Sequence, residues 1–118
     1  MRMRPVLIAA LAGVALVCAA PAQAATPKKT IRIGDNYYLP DAVKVARGTI
    51  VTWKWPGFDE AGDVHDVKLK SGPRGVKRFH SQPAATDYSF KRKLKLPGKY
   101  KFVCTLHEEM RMTIRVKH

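Results

Sequence analysis

The sequence predicts an all-β domain: a Greek-key β-sandwich of about seven to eight short strands. Apolar and polar residues alternate with period two from Thr30 onward, most clearly over Ile50 to Trp55 and Met110 to Lys117. Gly, Pro, Asn and Asp interrupt these runs at short intervals. No stretch after Thr30 repeats its apolar residues at the three- and four-residue spacing of an amphipathic helix.

Residues 1–24 are set apart from this pattern. Arg2 and Arg4 make a basic start, Pro5 to Ala20 is an apolar run, and Ala22-Gln23-Ala24 offers the small residues that signal peptidase requires. The run is short for a bilayer span, and no second apolar run follows it. Cys18 follows Val17, where a lipid-attachment signal wants a small residue, so it counts as part of the run. A cleaved signal peptide is expected, which places the mature chain outside the cytoplasm, in the periplasm or cell envelope. That chain runs from Ala25 to His118, 94 residues. It is long enough for one domain with one core.

Ala25 to Lys29 is a polar lead. Thr30 to Ile33 is a first strand, and Gly34-Asp35-Asn36 a turn. Tyr37 to Pro40 leads into Val43 and Val45, which alternate with Lys44, and Arg47-Gly48 turns the chain again. Ile50 to Trp55 puts Val51, Trp53 and Trp55 on an inward face. Pro56 to Val64 is a loop. Then His65, Val67 and Leu69 share the core side while Asp66, Lys68 and Lys70 face outward. Ser71 to Gly75 is a turn, and Val76 to Ser81 is open between a strand and an irregular crossing. Tyr88 and Phe90 alternate around Ser89, and Leu94 and Leu96 around Lys95. Pro97-Gly98 turns into the last two strands, with Tyr100, Phe102 and Cys104 on one face of the first. Met110, Met112, Ile114 and Val116 share one face of the second.

Charge and cysteine content limit the function. The mature chain has 20 Lys and Arg against 9 Asp and Glu, a net charge of +11. A cytoplasmic protein with this balance would be weighed for nucleic-acid binding. Export argues against nucleic acid and for an anionic envelope or an acidic protein surface. Cys104 is the only thiol of the mature chain. An odd cysteine in an oxidising compartment is a disulfide to another chain, a nucleophile or a metal ligand.

The neighbours of Cys104 favour the ligand. Cys104, His107 and Met110 are spaced C-x-x-H-x-x-M between two strands. A thiolate, an imidazole and a thioether form a soft donor set that suits copper better than zinc. His65, at the head of a core-facing row, is a further imidazole. His80 and His118 have no donors at a suggestive spacing and are expected to be ordinary residues.

The order His65, then Cys104-x-x-His107-x-x-Met110, in an all-strand exported domain of this size, resembles the cupredoxins, the small blue copper proteins. Further likeness lies in Tyr37 to Pro40, Gly48 to Trp53, His65-Asp66-Val67 and Leu96 to Tyr100. The two-residue gap between His107 and Met110 is most similar to amicyanin; plastocyanin has a longer one. The resemblance implies one copper ion, with His65, Cys104 and His107 as equatorial ligands and Met110 as the axial one. Met112 competes for the axial role because it gives the longer spacing. Strand register favours Met110, since Ile114 and Val116 follow it at the intervals of the closing strand.

The implied function is one-electron transport between redox partner proteins by a monomer that has no enzyme activity. The partners are expected to dock through acidic surfaces, with peripheral contact to an anionic envelope. Copper buffering or delivery is the alternative. A multicopper oxidase is disfavoured, because the chain lacks the His-x-His and His-Cys-His arrangements of a trinuclear centre. Two departures from the family pattern stand near the site. Asp66 occupies a position where relatives commonly have Asn, and its carboxylate is placed to accept from Thr105. Glu108-Glu109 puts an acidic pair beside His107 in a basic protein.

Overall fold

A computed structural model describes residues 2–6, 8–16 and 25–118. Cys18 and the expected cleavage site Ala22-Gln23-Ala24 lie outside the described residues. Among the described residues, no helix is long and apolar enough to cross a membrane.

Among the described residues, eight strands form two four-stranded sheets. They are β1 (Lys28–Gly34), β2 (Tyr37–Leu39), β3 (Ala42–Val45), β4 (Thr49–Lys54), β5 (Lys68–Ser71), β6 (Ser89–Leu94), β7 (Gly98–Cys104) and β8 (His107–Val116). One sheet has the order β2-β1-β4-β6 and the other β3-β8-β7-β5. β1 pairs parallel with β4, and β3 pairs parallel with β8; the remaining pairs are antiparallel. The two sheets face each other across one apolar core, the aligned packing that period-two strands favour.

The alternation in the sequence becomes the inner faces. Thr49, Val51, Trp53 and Trp55 are buried in sequence, with Trp53 wholly inaccessible. Trp53 packs its indole against Phe79, Phe90 and Phe102, with ring centroids at 6.5, 5.9 and 4.9 Å. β7 contributes Tyr100, Phe102 and Cys104 to the core, and β8 contributes Met110, Met112, Ile114 and Val116. Gly48, with φ of +83°, makes the turn before β4 in a conformation that costs other residues more.

One boundary differs from the expectation, and one segment left open takes one of its two forms. β1 begins at Lys28 rather than Thr30, because the polar lead adds backbone pairs to β4 from Lys28↔Ile50 onward. Val76 to Ser81 is the irregular crossing of the two alternatives. It still runs beside residues 67–69: Leu69 N donates to Phe79 O at 3.0 Å, and Ser81 N to Val67 O at 2.8 Å.

Candidate metal centre

His65 is set by Ala84 and Trp55 directly and by Tyr38 through the next residue. Its N–H donates to Ala84 O at 2.9 Å, and Ala84 N donates back at 3.0 Å. Trp55 continues the inward row of β4 one residue past its end, and its Nε1–H donates to His65 O at 3.2 Å. Tyr38 Oη–H donates to Asp66 O, the next carbonyl, at 2.7 Å. The His65 side chain is only 3% exposed.

Cys104 and His107 come from one tight connection. β7 ends at Cys104, Thr105-Leu106 turns the chain, and β8 begins at His107. Val103 pairs with Arg111, but Cys104 pairs with His107, so Glu108, Glu109 and Met110 are extra residues on β8. A bulge of this kind re-aims side chains at the rim of a sheet. It brings Cys104 Sγ to 3.6 Å from His107 Nδ1.

Cys104, His107 and His65 together offer donor atoms that lie within 4.8 Å of one another. The two Nδ1 atoms of His65 and His107 are 3.2 Å apart. His65 Nε2 is 3.2 Å from Asp35 Oδ1, and a carboxylate only accepts, so Nε2 is the protonated nitrogen. Asp35 is itself fixed by the N–H of Asp63 at 3.1 Å. The lone pair of His65 Nδ1 therefore aims at His107 Nδ1, and only a proton or a metal ion between them makes that approach favourable. Burial pushes the Cys104 thiol up from its ordinary pKa, against the N–H groups of Asp66 and Leu106 directed at the sulfur. The sulfur holds its proton until a cation replaces it. Two imidazole nitrogens and one thiol meeting in this way fit copper chemistry.

The two methionines differ. Met112 Sδ accepts from Trp53 Nε1 at 3.3 Å, so its sulfur is engaged in the core. Met110 is wholly buried and lies two residues closer to the ligand turn.

Two residues around the site depart from the sequence expectation. Asp66 does not face outward. β5 begins only at Lys68, so the period-two rule does not yet govern residue 66, and Asp66 is 3% exposed beneath the ligand turn. Its Oδ1 accepts from Thr105 N at 2.7 Å, and Oδ2 accepts from Thr105 Oγ1. His80 is not an ordinary surface residue: its Nε2 lies 2.8 Å from Asp66 Oδ2. The separation of His80 from His65 along the chain carried no periodic signal; only the crossing of residues 79–81 beside 67–69 brings it in. Burial raises the Asp66 carboxyl, but hydrogen bonds from Thr105 and His80 outweigh it and hold the group below its ordinary value. The Asp35 carboxyl is also lowered, first by the Asp63 N–H and then by His65. Asp63, with Oδ2 3.7 Å from His107 Nε2, is a nearer acidic neighbour of that ring than the sequence suggested.

Comparison with known proteins gives a consistent result. Amicyanin-alpha from Methylorubrum extorquens is 28% identical over 109 residues, which cover 92% of this chain and 87% of that protein. Amicyanin from Paracoccus versutus superposes with a TM-score of 0.63 at 25% identity, over 84% of this chain and 86% of that one. A copper-containing nitrite reductase from Thermus scotoductus superposes with a TM-score of 0.65 at 23% identity, over 85% of this chain but only 25% of the reductase. The family model of copper binding proteins, plastocyanin/azurin family, matches residues 25–117. Fold, donor set and family model agree: the chain belongs to the plastocyanin/azurin family of copper binding proteins, and its cofactor is copper.

Proposed function

We propose that this protein carries single electrons between redox partner proteins outside the cytoplasm, with copper held by His65, Cys104 and His107 in the equatorial plane and by Met110 axially. The observation that carries the reading is the convergence of the Cys104 sulfur with two facing imidazole Nδ1 atoms. Bound copper supplies the Cu(I)/Cu(II) couple, and everything else is the work of the chain. The paired strands β7 and β8 carry Cys104, His107 and Met110, and the bridge to Ala84 with the Trp55 hydrogen bond fixes His65, so the donors move little when the charge at the site changes. His107, with its side chain 20% exposed against 3% for His65, is the ligand edge through which a partner is reached. The engagement of Met112 by Trp53 supports Met110 as the axial ligand.

Export and the division at residue 24 belong to the same proposal. The family match begins at residue 25. Val6, Ile8, Leu11, Val14 and Leu16 all lie exposed, outside the core, as befits a segment that is not part of the fold.

The test is an optical and EPR spectrum of the mature protein loaded with Cu(II). An intense thiolate-to-copper band and reversible cycling are expected. Binding of Cu(I) without that band, with release to an acceptor, would instead indicate copper handling.

A further inference from the structure

We propose that His80 is a positioning residue for the copper-binding turn, acting through Asp66 on the backbone of Thr105. This rests on the copper reading above and adds a residue that the ligand pattern does not contain.

The chain of contacts is continuous. His80 Nε2 is 2.8 Å from Asp66 Oδ2. Asp66 is the residue after the ligand His65, and its side chain is only 4% exposed. The Asp66 carboxylate takes both the N–H and the hydroxyl of Thr105. Thr105 is the residue after the ligand Cys104 and the first of the two that turn β7 into β8. One carboxylate therefore ties the segment that carries His65, ahead of β5, to the turn flanked by Cys104 and His107. His80 supplies its third hydrogen-bond donor.

His80 is itself held by backbone. It forms an isolated bridge with Lys68, and its neighbours Phe79 and Ser81 bond Leu69 and Val67. Ser81 Oγ also accepts from Val67 N at 2.8 Å. The crossing from Val76 to Ser81 thus delivers one imidazole onto the carboxylate, although 47% of that side chain faces solvent. A surface histidine with no such task would gain little from being fixed on both flanks. A buried carboxylate needs its lone pairs satisfied, and a misaligned one would loosen the turn it holds. Outer partners of this kind orient metal ligands and tune the metal. By donating to Asp66, His80 also withdraws negative charge from beside the Cys104 sulfur, which favours the reduced ion.

The experiment compares His80→Ala, His80→Gln and Asp66→Asn with the parent protein. In the copper-free protein, His80→Ala should speed hydrogen exchange of the Thr105 amide by roughly tenfold, the loss of about one hydrogen bond's worth of alignment. In the copper-loaded protein, the same change should lower the reduction potential and shift the thiolate-to-copper band. His80→Gln keeps an N–H donor and should restore most of both. In an Asp66→Asn background, His80→Ala should add nothing further to either readout. Unchanged exchange and potential in His80→Ala would overturn the proposal. So would equal effects of His80→Ala in the parent and in the Asp66→Asn background, which would mean that His80 acts by another route. If the parent bound no copper, the electron-carrier reading would fail on its own, and amide exchange would still decide the role of His80.

Discussion

Two sulfurs of the same residue type sit two positions apart on β8 and face different neighbours, so substituting each should report a different property. Met112 accepts a hydrogen bond from the buried Trp53 Nε1–H. Met112→Leu removes that acceptor and leaves a buried donor unpaired, which should cost about 1–2 kcal/mol in denaturant unfolding. The reduction potential of the copper-loaded protein should change little. On the proposed axial role of Met110, Met110→Leu should do the reverse, raising the potential because that donor to Cu(II) is lost, with a smaller effect on unfolding. Voltammetry in which Met112→Leu produced the larger shift would exchange the two roles. Asp66 makes a prediction about pH. Its carboxyl is held below the ordinary value in the folded protein. Such a group adds stability above its unfolded pKa, near about 4, and loses that contribution as pH falls through its folded value. The melting temperature of the copper-free protein should therefore drop more steeply below about pH 4 than that of Asp66→Asn, in which the Thr105 N–H keeps an acceptor. Parallel curves would show that Asp66 adds no acid-sensitive stability.

At the scale of elements, strand alternation was legible wherever a strand is regular. Val51, Trp53 and Trp55, and likewise Met112, Ile114 and Val116, lie inward as their spacing requires. Alternation failed at Asp66, which precedes β5, and it said nothing of the irregular crossing that carries His80. The cluster of His65, Cys104 and His107 was readable because Cys104 and His107 are close in sequence and, with Met110, chemically unusual together. The carboxylates on the far side of the rings, Asp35 and Asp63, were not, because a turn and a loop bring them in from the opposite sheet edge. β6 shows a subtler departure. Arg92 lies in the same row as the buried Phe90 and Leu94, paired with the inward Val51 across β4. The row tolerates a cation because its guanidinium covers the Phe90 and Phe79 rings, at 4.2 and 5.4 Å from their centroids. Arg92→Ala should therefore destabilise the fold by about 1 kcal/mol, while Lys91→Ala and Lys93→Ala on the same strand stay near neutral. Equal losses at all three positions in urea unfolding would mean that strand propensity, and not the cation over the rings, sets the cost.

At the scale of the whole molecule, charge is unevenly placed. The net charge of the chain from Ala25 is +11, and the outward rows of the strands carry Lys44, Lys91, Lys93, Lys99, Lys101 and Arg115. Around the ligand end, however, Asp35, Asp63, Glu108 and Glu109 are all exposed. A partner approaching from a distance meets a positive field, and one arriving at the proposed His107 edge meets these carboxylates, with Lys68 and Arg111 beside Glu108. The net charge and these local charges act over different ranges, because charges separated by more than the screening length, about 8–10 Å at physiological salt, contribute little. Small redox reagents of opposite charge can separate them. At low ionic strength, the reduced copper protein should react faster with an anionic oxidant than at high salt, since the net charge attracts it. Glu108→Gln with Glu109→Gln should speed that reaction roughly two- to fivefold and slow the reaction with a cationic oxidant by a similar factor. Both differences should fade as salt is added, measured by stopped-flow on proteins with matched spectra. If both reagents change in the same direction, the substitutions have altered the ligand turn itself, and the acidic pair does not steer what reaches His107.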